Sequence, residues 1–166
     1  MRVENDWRCP NLDCPAQIRA RIEHWCSPGA MDIAGGNARA AELVHRGLVR
    51  DVAELYRLKA AALAALEGMD RNSAKDFLDA IAASRKREAW RLLYGLAIPQ
   101  VGAEEARLLC EHFPAVDDIL DAGVGRLRQV PGISETVAYS IMQWYGDSVN
   151  RKLVRRLYRS RLNFKT

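Results

Sequence analysis

The 166-residue chain has no run of about 18 apolar residues, so a membrane span is not expected. Its first residues, MRVENDWRCPN, lack the apolar stretch of a secretory signal, which points to a cytoplasmic setting. Period-two alternation is nearly missing, and that argues against a sheet as the main element. Cysteine is scarce and irregularly placed. Cys9 and Cys14 lie close together, Cys26 is nearby, and Cys110 sits far away in a helical pattern. Without an export signal, these read as thiols or metal ligands rather than disulfides.

What is present is helical and basic. Ala, Leu, Arg and Glu are abundant, and apolar residues recur at helical spacing, as in Leu43, Val44, Leu48 and again in Leu108, Leu109, Phe113. Glycine and proline fall between these runs, where turns belong. The formal charge of +4 and the pI of about 9.0 suit a nucleic-acid partner without proving one.

One local pattern recurs. Asn37, Asp70 and Ser134 each close a glycine-bearing turn, Gly102 closes Gln100-Val101-Gly102, and each has alanine four residues later (Ala41, Ala74, Ala106, Ala138). An apolar residue follows three further on (Val44, Phe77, Leu109, Ile141), and the steps between anchors are 33, 32 and 32 residues. A near-constant period with a shared pattern is a structural repeat. Each unit reads as helix, tight hairpin, helix, with the alanine allowing close packing. The expected fold is all-α, a tandem array of four helix-hairpin-helix units near 35–37, 68–70, 100–102 and 132–134. The first unit should pair with the second and the third with the fourth, with Ser84-Arg85-Lys86-Arg87-Glu88 as the polar break. Three regions follow: a lead-in over 1–28, the hairpin domain over 29–149 and a basic C-terminal segment over 150–166.

Such hairpins suit the DNA backbone. Glycine permits positive φ and close approach. The first N–H groups of the following helix have no helical partner and carry the positive end of its dipole, so they accept an anion. Phosphate contacts of this kind hold a duplex without reading its sequence. The candidate DNA-binding residues are Gly35, Gly36, Asn37, Gly68, Gly102, Gly132 and Ser134, with the cations Arg71, Arg85, Lys86 and Arg87. Asn37, Asp70 and Ser134 are also favoured N-caps, so cap and phosphate compete for the same N–H groups. Asp70 adds a negative charge and makes the weakest phosphate site. A helical protein-interaction module that has lost DNA binding is the alternative. For the C-terminal NRKLVRRLYRSRLNFKT, a docked helix with a solvated basic face and direct DNA contact both stay open. Trp90, Tyr94, Tyr139 and Trp144 read as core more than as base-stacking platforms.

From Arg8 onward the run RCPNLDCPAQIRARIEHWCSPGAMDIAG resembles the junction in NAD-dependent bacterial DNA ligases where the zinc finger passes into the helix-hairpin-helix domain. Cys-x4-Cys followed by Pro-Ala-Gln, and His-Trp with Ala-Met-Asp-Ile, carry the likeness. GLVRDVAELYRL, LEG, VG and PGI extend it, so that it runs from about Arg8 to about Leu162. The resemblance implies a segment that wraps nicked double-stranded DNA in replication and repair while another domain does the chemistry. It implies a bacterial cytoplasmic, nucleoid-associated setting, with NAD used only through domains outside this chain and the remaining ligase domains as partners. The family's Lys-x-Asp-Gly adenylation motif follows none of Lys59, Lys75, Lys86, Lys152 or Lys165, so this chain alone is not expected to ligate. It is a ligase fragment or a free-standing relative. Of the family's two zinc-binding cysteine pairs only Cys9 and Cys14 are found, half of a tetrahedral site. Cys26 stands where the family places no ligand. The family's Gly-apolar-Gly is replaced by Gly-Gly-Asn, Gly-Met-Asp and Gly-Ile-Ser at the first, second and fourth hairpins.

Overall fold

A computed structural model describes residues 14–166 and, for the backbone alone, Arg2–Val3 and Asp6–Trp7. The described chain is helical apart from a two-stranded antiparallel ribbon, β1 (Arg2–Val3) with β2 (Asp6–Trp7), in which Arg2 faces Trp7. Cys9 lies outside the described residues, as does most of the zinc-finger part of the lead-in.

The helices come in packed pairs. α1 (Pro15–Cys26) packs on α2 (Gly36–His45), and α3 (Ala60–Ala64) on α4 (Arg71–Ser84). α5 (Ala89–Gly95) packs on α6 (Ala103–His112), and α8 (Gly123–Leu127) on α9 (Glu135–Gly146). A 3-10 helix over Val52–Arg57 links the first two pairs, α7 (Val116–Asp121) precedes α8, and α10 (Ser148–Arg159) follows α9.

All four turns share one geometry. A buried apolar residue accepts a hydrogen bond from the N–H three positions on: Ile33 from Gly36 at 3.1 Å, Leu66 from Met69 at 3.2 Å, Ile98 from Val101 at 3.1 Å, Val130 from Ile133 at 3.1 Å. The residue two after the acceptor has positive φ in each: Gly35 +83°, Gly68 +72°, Gln100 +69°, Gly132 +92°. The N-caps Asp70, Gly102 and Ser134 follow, and Ala74, Ala106 and Ala138 are fully buried four residues later. A bare Cβ there lets the second helix lie close on its neighbour, and Phe77, Leu109 and Ile141 continue the buried face one turn on.

The helix after the first turn departs from the expected register, beginning one residue early. Gly35, at φ +83°, is the N-cap, and Asn37 is already the second residue of α2. The buried pair is Ala40 and Leu43, while Ala41 is exposed and Val44 only half-buried. By burial the anchor of the first unit is therefore Gly36, although Asn37 keeps its place after the turn bond. The cause is contact: a Cβ at Gly36 would stand 2.4 Å from the Cys26 sulfur, so only glycine lets α2 begin that close to the end of α1.

With Gly36 as anchor, the pairing becomes regular. The residue six after each of three anchors touches the turn of the partner unit. Glu42 accepts the Glu67 N–H at 3.2 Å, Ser140 donates to the Pro99 carbonyl, and a Cβ on Gly132 would lie 2.8 Å from Leu108. In the second unit the next residue, Phe77, does the equivalent, 3.7 Å from a Cβ on Gly35. First therefore pairs with second and third with fourth. The core is nonetheless one continuous cluster. α1 also packs on α5, and Arg91 of α5 donates to the carbonyls of Pro28 at 2.9 Å and Ala30 at 3.0 Å.

The stretch Ser84–Glu88, expected as a solvated break, is a structural hub. Ser84 is buried and donates to the Ile81 carbonyl at 2.6 Å, so it must accept from the Tyr56 hydroxyl at 2.8 Å, which in turn accepts from Trp25 Nε1 at 3.1 Å. The Arg85 carbonyl accepts the Asn163 N–H at 2.9 Å, and the Arg87 carbonyl accepts Asn163 Nδ2 at 3.2 Å. The C-terminal segment is likewise docked. Phe164 is buried and its carbonyl accepts the Val116 N–H at 2.9 Å, while the Thr166 hydroxyl donates to Phe113 at 2.6 Å.

Candidate nucleic-acid interface

The four turns are the places where helix N-termini reach solvent next to glycine, and they differ in what already occupies their N–H groups. At α4, Asp70 Oδ1 accepts the Ser73 N–H at 2.8 Å and Ser73 Oγ accepts the Asp70 N–H at 2.9 Å, a reciprocal cap. These bonds, the Ser73 N–H first, hold the exposed Asp70 carboxyl below its usual range, so it stays charged at neutral pH. At α9, Ser134 Oγ accepts the Val137 N–H at 3.2 Å. At α6, glycine has no side chain to cap with, and only the reverse half exists, with Glu105 accepting the Gly102 N–H at 3.0 Å. α2 starts from Gly35 with no side-chain cap. The helix ends of the second and fourth units thus carry a capping side-chain oxygen, whereas those of the first and third have none, although the Gly36 N–H is taken by Ile33 and the Gly102 N–H by Glu105.

The expected cations divide by use. Arg71, the first residue of α4, is exposed and has no internal ion pair. Lys86 is exposed. Arg85 is spent inside the molecule: Nε donates to the Ser160 carbonyl at 2.8 Å, Nη2 to Tyr56 at 3.4 Å, and the guanidinium lies over the Tyr56 ring. Arg87 donates to the carbonyls of Met31 at 3.1 Å and Asp32 at 3.2 Å. Burial of the four turns is uneven as well. A Cβ on Gly68 would meet nothing within 4 Å, whereas one on Gly132 meets Leu108.

One feature beside these turns has no counterpart in the expected pattern, and another differs from its expected place in the core. Arg39 of α2 donates to the Glu67 carbonyl at 3.1 Å, bringing a guanidinium to the second turn from the first unit. Its signal is its place three residues after Gly36, hidden while Asn37 served as anchor. Tyr139 of α9 is 44% exposed and, with Pro99, Gln100 and Ser140, lines a shallow groove of about 530 Å³ beside the third turn. It is not core.

Residues 91–154 match the family model described as a helix-hairpin-helix motif. Over 158 residues the chain is 45% identical to a DNA ligase of Rubrobacter xylanophilus, covering 95% of this chain and 23% of that protein. A DNA ligase of Koribacter versatilis is 40% identical over 98% of the chain and 24% of its own length. One from Chlorobium chlorochromatii is 44% identical over 98% of the chain and 25% of its own. The chain belongs to the DNA ligases, as one segment of them. It spans about a quarter of the length of the curated relatives it matches.

In this ligase segment, no group of three or more His, Cys, Asp or Glu among the described residues is arranged to hold a metal ion. Cys14 is the N-cap of α1. Cys26 lies under Gly36, and burial pushes its thiol up to about 12, which unsuits it as a thiolate ligand. His24 is turned to the Tyr94 carbonyl, 2.9 Å from Nε2. Cys26 and His24 therefore do not complete a site with Cys14. No described helix is long and apolar enough to cross a membrane.

Proposed function

We propose that this chain is the DNA-gripping segment of an NAD-dependent ligase. It holds nicked duplex by its sugar-phosphate backbone, without regard to sequence, while other parts of such a protein adenylate and seal the nick in replication and repair, in the bacterial cytoplasm. The observation that carries the reading is the same positive-φ turn, set before a helix N-terminus, at Gly68, Gln100 and Gly132. With it goes the α2 end beside Gly35, which has no side-chain cap. Gly35, Gly36, Gly102 and Arg71 are the contacts of first rank, and Gly132 and Ser134 join them where phosphate displaces the serine cap. Cys9 and Cys14 supply two of four zinc ligands, with the other pair contributed from elsewhere in the longer protein.

A second reading, a helical protein-interaction module, draws on the filled N–H groups of α4 and α9 and on Glu104 and Glu105 in the first turn of α6. Fluorescence anisotropy with two labelled nicked duplexes of unrelated sequence separates the two. Backbone gripping gives equal affinities that fall steeply with salt, by about 0.9 in log–log slope per phosphate neutralised. No binding at low salt sinks the DNA reading and favours the module.

A further inference from the structure

Apart from Arg71, the hairpin turns are poor in free positive charge. Arg39 is held by Glu67 and Glu42, Arg128 faces Glu135 at 4.0 Å, and Asp70 and Glu104 are acidic and exposed at helix starts. The charge lies elsewhere. α10, SVNRKLVRRLYR, has five Lys or Arg and no acidic residue, in a chain whose net charge is only +4.

Those five cations are sorted by face. Val154 and Leu157 are buried, with Leu153 half-buried beside them, and they dock α10 on the 3-10 helix and α9. The two cations flanking that face are consumed by docking. Arg151 donates to the carbonyls of Tyr145 at 3.1 Å and Gly146 at 2.7 Å, and Arg156 pairs with Asp51. Lys152, Arg155 and Arg159 remain. They follow each other at i, i+3 and i+7, so on a helix of 3.6 residues per turn they fall within about 60° of one another, opposite the docked face. All three are exposed, and none makes an ion pair or a side-chain hydrogen bond.

No ion pair among the described residues accounts for this stripe, and Arg155 is only within electrostatic reach of the Tyr145 hydroxyl. Arg155 and Arg159, at i,i+4, repel each other. The helix dipole favours Arg159 in the last turn, but it does nothing for Lys152, which lies beyond the first turn. Three like charges along about 10 Å of helix match a polyanion with closely spaced charges, which is what a duplex backbone presents.

We infer that the outer face of α10, through Lys152, Arg155 and Arg159, is a second phosphate track, and that it supplies most of the salt-dependent part of duplex binding while the hairpin turns supply position. The inference rests on the duplex-binding reading above. Its test is anisotropy with a labelled nicked duplex across a salt series, using the wild type, the triple variant Lys152→Ala/Arg155→Ala/Arg159→Ala, and the charge-keeping Arg155→Lys/Arg159→Lys, with circular dichroism to confirm that each is folded. The expected result is a log–log slope lower by about 2 to 3 in the triple variant, with at least about tenfold weaker binding at 50 mM salt. The charge-keeping variant should hold the wild-type slope, because phosphate neutralisation needs charge and not a particular head group. A folded triple variant with an unchanged slope overturns the phosphate track while leaving the hairpin reading intact. A charge-keeping variant that loses as much slope as the triple one overturns it too. Failure of the wild type itself to bind overturns both readings.

Discussion

Gln100 holds the position that its counterparts give to Gly68 and Gly132, at φ +69°. A side chain in the left-handed region costs about 1–2 kcal/mol, and the greater freedom that glycine loses on folding offsets roughly half of that. Gln100→Gly should therefore stabilise the protein by about 0.5–1 kcal/mol, read as a higher urea midpoint at unchanged slope. A lower midpoint would mean that the Gln100 side chain contributes contacts worth more than the strain. Asp70 separates cap from charge. Asn caps as well as Asp, so Asp70→Asn should leave the melting temperature nearly unchanged and raise affinity for nicked duplex. Asp70→Gly should raise affinity too, with a small loss of stability. Unchanged or weaker binding in both variants would remove phosphate from the second turn. At this scale, glycine and N-cap spacing made three anchors legible. The first slipped because Ala40 and Ala41 are adjacent, and nothing in their identities says which one faces α1. Cys26 decides it, through its contact with Gly36, and that contact is invisible in a one-dimensional pattern.

Between the two pairs of units, the sequence run Ser-Arg-Lys-Arg-Glu looks like a linker, because composition reports polarity and not what the polar groups bond to. Arg85 and Arg87 are spent on carbonyls of Ser160, Tyr56, Met31 and Asp32, tying the C-terminal segment, the 3-10 helix and the first turn to one short stretch. Hydrogen bonds from a charged donor contribute about 1.5–3 kcal/mol, and less where the group is half-exposed as here. Arg85→Ala and Arg87→Ala should each destabilise by about 1–2 kcal/mol, whereas Lys86→Ala should leave stability within about 0.5 kcal/mol. Equal melting temperatures for the three variants would contradict the hub. Lysine should not rescue Arg85, because a point charge cannot serve two carbonyls and stack on Tyr56 together. The helices themselves were legible from periodicity and the turns from glycine and proline. The uses of individual arginines were not, since they depend on which carbonyls the fold leaves without partners.

The molecule behaves as one body because its core runs unbroken from α1 to Phe164, and the groups buried in that core make a prediction about pH. Tyr56 sits where the 3-10 helix, α1 and α4 meet. Burial, more than any neighbouring charge, pushes its hydroxyl up from 10.0 to about 12. The Cys26 and Cys110 thiols are pushed from 9.0 to about 12 by the same cause. In the unfolded chain these groups lose their protons at the ordinary values, so above about pH 9 the folded state holds more protons than the unfolded one. Stability contributed by the three neutral groups is then complete below pH 9 and is lost as pH rises toward 12. The melting temperature should fall progressively between pH 9 and 11, in one cooperative transition and not one per pair of hairpins. Tyr56→Phe should melt lower at pH 8, because Trp25 Nε1 and Ser84 each lose a partner. The same variant should lose less between pH 10 and 11, because one of the linked groups is gone. A variant that tracks the wild type in parallel across that range would place the alkaline sensitivity outside this junction. Two separate transitions would show that the hairpin pairs, and not the shared core, are the unit of stability.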